Sequence, residues 1–319
     1  MVGLFVLSRS AVTLEPMTWF FLALLAPLLF AYGNHTDKYL LSGYIKSGEV
    51  GSIVIFSALF SVLAIPVVLF IQPAVHDISV AQAAMLVATG ILGVVAVLFY
   101  LYALDIDEAS FVTPFYQTIP IFAYVLGYFI LGETVTLVQG LGSLVIILGG
   151  VALSFEIGRR GIRVKRQVVG LMLAASLLSA VNGVIFKLVA VDKGFWLSLF
   201  WGFVGQLIVG LVFLLAVPSY RKGFFSLVQE NKVPVLALIA LSELLFTIGE
   251  GITMYATLLA PVALVLLVNS FQPLFVFVLG VLLTLFLPRL GRESLGRTKL
   301  VQKMLGIGLM IGGGYLISG

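Results

Sequence analysis

Two carboxylates inside one apolar run are the groups in this chain most able to do chemistry. Glu243 and Glu250 lie in the apolar stretch 233–258. Seven residues is close to two helical turns, so both fall on one helix face about 10 Å apart. An ionisable side chain in the middle of a membrane helix costs roughly 2.5–3.5 kcal/mol on insertion scales, so one that is kept points to proton, ion or substrate handling. The plain alternative is that both acids pair with neighbours and hold a bundle together. Lys187 is the only basic residue placed inside an apolar run. It can meet Glu250, because their two segments run the same way, or it can snorkel to the interface as Lys38 does. As a working mechanism, Glu250 takes a proton while substrate and Lys187 compete for its carboxylate, and Glu243 serves as a second station.

Polar residues also gather ahead of two prolines. Tyr116, Gln117 and Thr118 precede Pro120, and Asn269, Ser270 and Gln272 precede Pro273. Proline lacks a backbone donor and frees a carbonyl about four residues back, here those of Tyr116 and Asn269. Pro120 and Pro273 are therefore candidate hinges, the competing reading being static kinks whose polar neighbours bond helix to helix. Asn182, Trp201 and Gln206 are further candidates for the same cavity. Tyr32, Tyr100 and Tyr102 fall toward the opposite side and suit interfacial anchoring.

The elements that must position these groups are membrane helices. The chain has 319 residues, of which 61% are hydrophobic and only 10% charged, against about 25% charged in a soluble domain. Ten apolar spans are expected: roughly 17–41, 50–71, 81–105, 109–131, 136–155, 167–190, 194–217, 233–258, 261–287 and 302–318. Residues 1–16 lack the pattern of a cleavable signal, so the first span is expected to stay as an anchor.

The spans form two related sets. Residues 102–127 recur 153 positions later as 255–280, pairing Tyr102 with Tyr255, Pro120 with Pro273 and Val125-Leu126-Gly127 with Val278-Leu279-Gly280. Ala31 and Lys38 match Ala180 and Lys187, 149 apart, and Gly142, Gly149, Gly150 and Ser154 match Gly306, Gly313, Gly314 and Ser318, 164 apart. Five spans per half make the second half upside down, so the fold class is an all-α membrane protein of ten transmembrane helices in two inverted five-helix repeats. The repeats are 1–155 and 168–319, joined by a basic linker at 156–167. An 11-residue insertion lies around Pro288–Leu300. Gly308 and Gly312 form a G-x-x-x-G expected to pack within the fold.

Leu131-Gly132-Glu133, then Gln139-Gly140 and a glycine-rich fifth span, resemble the EamA-type branch of the drug/metabolite transporter superfamily over nearly the whole chain. In the second half Leu285-Phe286-Leu287-Pro288 stands where a Gly-Glu would close span nine. The resemblance implies movement of a small polar or amphipathic solute across a membrane.

These readings converge on a secondary carrier, exporter or exchanger, working by alternating access in the plasma or inner membrane. The alternatives are a flippase for a lipid-linked substrate and a non-transporting scaffold. An enzyme is not expected: no nucleophile–base constellation is present. There is no G-x-x-x-x-G-K-[ST] for nucleotide, so no cofactor is expected and ATP-driven pumping within this chain is disfavoured. No cysteine exists and His35 and His76 stand apart, so no metal is expected. Expected partners are membrane lipid, the solute and protons, not nucleic acid, with the chain a monomer or homodimer. Of 18 Lys and Arg, fifteen fall in loops on the side away from the N-terminus and two, Arg9 and Lys193, on the other. The positive-inside rule puts the basic side in the cytoplasm and both termini outside, whereas the family resemblance implies cytoplasmic termini.

Overall fold

The computed structural model describes residues 18–43, 50–107, 112–154, 165–230, 233–286 and 297–318. These are helical almost throughout, with no strand among them. The helices are α1 (Thr18–Gly43), α2 (Val50–Ile71), α3 (Val80–Ile106), α4 (Ile119–Leu126), α5 (Leu137–Ser154) and α6 (Arg166–Lys193), followed by α7 (Phe195–Ala216), α8 (Pro218–Glu230), α9 (Val233–Thr257), α10 (Val262–Val268), α11 (Gln272–Phe286) and α12 (Arg297–Ser318). Among the described residues eight segments are long and apolar enough to cross a membrane, and α5 is apolar but shorter. The outside is apolar too: Phe70 is 89% exposed and Phe129 78%. Water penalises such a surface and lipid does not. The chain is an all-α, multi-pass membrane protein.

Span four and span nine are interrupted helices. A 3-10 turn, Thr113–Thr118, leads into α4, and a π turn, Gly127–Leu131, follows it. In the second half α10 ends in a 3-10 turn, Asn269–Phe271, before α11. Each proline sits at the second position of the helix after its 3-10 turn, where its missing N–H is least costly. The carbonyls of Tyr116 and Asn269, expected to be freed, are not free. Tyr116 accepts the Ile119 N–H and Asn269 accepts the Gln272 N–H. Tightening to three residues per turn re-satisfied them locally.

Two glycines with positive φ set the turns that matter. Gly194 (φ 87) is the single residue between α6 and α7, and Gly132 (φ 68) ends the π turn. Both conformations are easy only for glycine. α5 then starts from a reciprocal cap, in which Thr136 Oγ1 accepts the Gln139 N–H at 3.2 Å and Gln139 Oε1 accepts the Thr136 N–H at 3.0 Å.

α5 and α12 pack through glycines in a crosswise pattern. A Cβ on Gly149 would lie 2.8 Å from the Gly306 carbonyl and one on Gly313 2.7 Å from the Gly142 carbonyl. Gly149 also faces Met310, and Gly313 faces Ile146. The G-x-x-x-G pair does not take part. Cβ atoms on Gly308 and Gly312 would meet nothing within 4 Å. The seven-residue spacing 306/313 selects the packed face and turns 308/312 outward.

The stretch between spans seven and eight, taken as a loop, contains α8. Tyr220, Phe224 and Leu227, at i, i+4 and i+7, make its inner face. Tyr220 lies against Gly51, edge-on to Phe213, and its hydroxyl bonds that of Tyr102. Tyr102 is thus held by a partner rather than simply anchored at an interface. Burial, then the adjacent Tyr102 hydroxyl, pushes the Tyr220 phenol up to about 12, so it stays neutral. Phe224 meets Phe56 at 6.5 Å, and Leu227 packs with Val235 and Ile239. Residues 155–164, which hold most of the linker 156–167, lie outside the described residues, as do most of the Pro288–Leu300 insertion and the side chain of Lys38.

Candidate functional site

A cavity opens between α3, α6, α7 and α9. Its wall is Thr89 and Gly90 from α3, Asn182 and Phe186 from α6, Leu199, Gly202, Phe203 and Gln206 from α7, and Thr247, Glu250, Gly251 and Met254 from α9. The space measures about 370 Å³ with its mouth included. Glu250 is its one ionisable lining group. Asn182 gives its side-chain amide to the Glu250 carboxylate, and both face Gly93, whose missing side chain leaves them room. α3 lies directly on α7 here: a Cβ on Gly90 would strike the Gly202 carbonyl and one on Gly205 the Val87 carbonyl. Leu86, Phe186, Val189, Ala190, Leu197 and Met254 close the end where α6 turns into α7.

Lys187 does not meet Glu250. It forms an ion pair with Glu133, and the two side chains are only 13% and 16% exposed. Lys187 Nζ also donates to the Ala260 carbonyl at 2.7 Å, and Glu133 Oε2 accepts the Val262 N–H at 2.8 Å. Local structure explains the pairing. The left-handed Gly132 turns the chain so that Glu133 folds back over Gly127, where a Cβ would lie 3.2 Å from Oε2. The carboxylate then sits at the start of α10, capping an orphan N–H. Snorkelling is equally overturned, because a nearer acid and a carbonyl hold the ammonium. Glu133 was missed as a site residue although it stood in the Leu131-Gly132-Glu133 string; an acid directly after a left-handed glycine was the available signal.

Of the residues expected in one cavity, the structure brings together Glu250, Asn182 and Gln206. Glu243 lies outside it and accepts the Ser57 hydroxyl from α2. Trp201 points to the loop before α3, where Nε1 donates to the Val75 carbonyl at 2.9 Å. Tyr116 packs on Tyr100 with ring centroids 5.0 Å apart. Gln117 faces Gly150 of α5. Asn269 and Gln272 are absent from the cavity wall. The physical reason is shared: both 3-10 turns rotate the helix away from the register that a continuous α-helix would give. Gln117 Oε1 and Asn269 Oδ1, one in each turn, are buried without a donor. Thr89, Thr247, Phe186 and Phe203 line the cavity and carried no sequence signal that separates them from core residues.

Fold and site thus define a helical membrane protein with a polar, carboxylate-bearing cavity. Residues 17–155 match the model of the EamA-like transporter family. One solved crystal structure is similar over 97% of this chain and 96% of its own, with a TM-score of 0.65 at 17% identity; that likeness is one of fold. No curated protein matches the chain in sequence. The matched half holds both Leu131-Gly132-Glu133 and Gln139-Gly140, whereas Phe286 stands in the second half at the position matching Glu133.

Proposed function

We propose that this protein is a secondary transporter of a small organic solute, exporting or exchanging it by alternating access, with Glu250 as the group that couples solute to protons. The observation that carries this is the cavity itself: a carboxylate in a span, bonded by Asn182 and with no cation among its lining residues. Such a group changes state by taking a proton or a ligand, so the two can be exchanged on one site.

The alternating frame is two inverted five-span halves, 1–155 and 168–319, joined through 156–167. The crosswise α5–α12 contact supports it. Gly142 and Gly306 are repeat mates, as are Gly149 and Gly313, and each contacts the other pair's mate, as a two-fold axis requires. α3 on α6 and α9 on α1 are likewise matched crossings, both extensive. One matched pair is unequal. α3 lies along α7, whereas the corresponding α9 and α2 barely touch. One side is closed and its mate is loose, which is the difference between the two states of an alternating cycle. Pro120 and Pro273 act as hinges in this reading, and the two unpartnered acceptors beside them gain donors if the turns rearrange. The membrane is the plasma or inner membrane, with the basic loops in the cytoplasm.

Purified protein in liposomes, loaded with a panel of small metabolites and amines, tests this. Solute flux that responds to an imposed pH gradient is expected. Binding without flux of any solute would leave a scaffold or receptor instead.

A further inference from the structure

We infer that the Glu250 cavity is built for a protonated amine with an apolar body, and not for an anionic or zwitterion-selective solute. This rests on the transporter reading for its purpose but on the cavity alone for its chemistry. Glu250 is the one ionisable group on the wall, and it is an acid. Thr89, Asn182, Gln206 and Thr247 add neutral polar groups around it, while Phe186 and Phe203 add ring surface on the α6 and α7 sides. A carboxylate beside aromatic rings and short polar groups suits an ammonium ion, which bonds the acid and lies well over ring faces. An anion would meet the same carboxylate with no cation to offset it.

The charges on the elements packed against α9 bear on this: α8, which meets Val235 and Ile239 through Leu227, carries Arg221, whose guanidinium donates to the Leu215 carbonyl at 3.4 Å, Lys222 and Glu230. α2, α7 and α10 carry no acidic or basic residue. On α3 the one such residue is Asp105, at the far end from Thr89. On α6 Lys187 is held by Glu133 and Ala260, while Arg166, Asp192 and Lys193 sit at the helix ends. On α1 His35 has Nε2 2.9 Å from the Val276 carbonyl, and Asp37 and Lys38 have side chains outside the described residues. Glu243, on α9 itself, is bonded by Ser57. The cation nearest in sequence to the cavity wall, Lys187, is thereby removed from competition.

The test uses the full chain in detergent and three ligands of one size: phenethylamine, 3-phenylpropionate and 2-phenylethanol. Phenethylamine alone should raise the melting temperature, and Glu250→Gln should weaken its binding by about tenfold or more, the cost of losing a charge-assisted bond. Should Glu250→Gln fail to fold, carbodiimide labelling of wild-type Glu250, read by mass spectrometry, replaces it: N,N-dimethylphenethylamine, a tertiary amine that cannot itself be acylated to an amide, should protect the carboxyl. Preference for 3-phenylpropionate, binding of none of the three, or binding indifferent to Glu250 overturns the assignment. Failure of the transporter reading looks different. Phenethylamine would then bind at Glu250 yet show no flux in liposomes.

Discussion

Where α3 passes α6, Gly93 faces Asn182; where α9 passes α1, the corresponding positions 153 and 149 residues away hold Phe246 and Gly33. The two crossings have inverse solutions. In the first the small residue is on α3, and the amide opposite reaches Glu250. In the second the Phe246 ring fills the space over Gly33 and stacks on Phe30 at 5.7 Å. The next contact outward repeats the contrast. Gly90 lies backbone to backbone on Gly202, whereas its mate Glu243 takes a hydrogen bond from Ser57, which like Gly202 is the eighth residue of its helix. The mate of Glu250 is Val97. Equivalent backbones therefore carry a polar cavity on one side and a packed, ring-filled seam on the other. On the proposed repeat the two copies share a frame, and the chemistry lies in where they have diverged.

The strongest way to break this contrast is to move the filled solution into the cavity. Gly93→Phe should abolish phenethylamine binding and solute flux, because the ring takes the volume in front of Asn182 and Glu250. Gly93→Ala should fold, since its Cβ would have 3.4 Å to Asn182 Nδ2. Retained binding in Gly93→Phe, measured by calorimetry, would show that the cavity is not the site.

The ion pair gives the next largest effect, and its acid, Glu133, has Phe286 at the matching position of the second half. Lys187→Ala or Glu133→Ala leaves a lone buried charge and should destabilise by about 3–5 kcal/mol. Lys187→Met with Glu133→Leu should recover most of that, because the uncompensated charge is gone. Thermal unfolding in detergent checks both. A double variant no better than the singles would mean that the pair has a role beyond charge balance.

Smaller still is the α5–α12 seam, where the halves are alike. Gly149→Val or Gly313→Val should each cost about 1–3 kcal/mol by overpacking. Gly308→Ala should stay within about 0.5 kcal/mol, as its face is open. Unequal costs at 149 and 313 would count against the proposed two-fold relation.

The frame was legible from residue spacing because glycine, proline and apolar length report backbone needs directly. The two interrupted helices and the acid at Glu250 came from that, and the proposed repeats rest on the same spacing. Side-chain partners were less legible. Lys187 was matched to Glu250 by depth along parallel helices, yet depth does not say which face a helix presents. Gly132 decided the matter by returning Glu133 to the bundle. Gln117 and Asn269 were misplaced for a related reason, since a 3-10 turn changes the angle per residue and so the face. Helix α8 was overlooked because its three inner residues sit among basic and polar ones, below the apolar length that marks a span.

Glu250 is the centre of the proposed coupling, and one comparison in proteoliposomes tests it most directly. Wild type and Glu250→Gln are assayed for accumulation driven by a pH gradient and for exchange at equal pH, with phenethylamine as the solute. The neutral amide resembles the protonated acid, so Glu250→Gln should lose gradient-driven accumulation while keeping some exchange, and Glu243→Gln should show a milder loss. Accumulation by Glu250→Gln at the wild-type rate would contradict the coupling role and leave Glu250 as a structural acid.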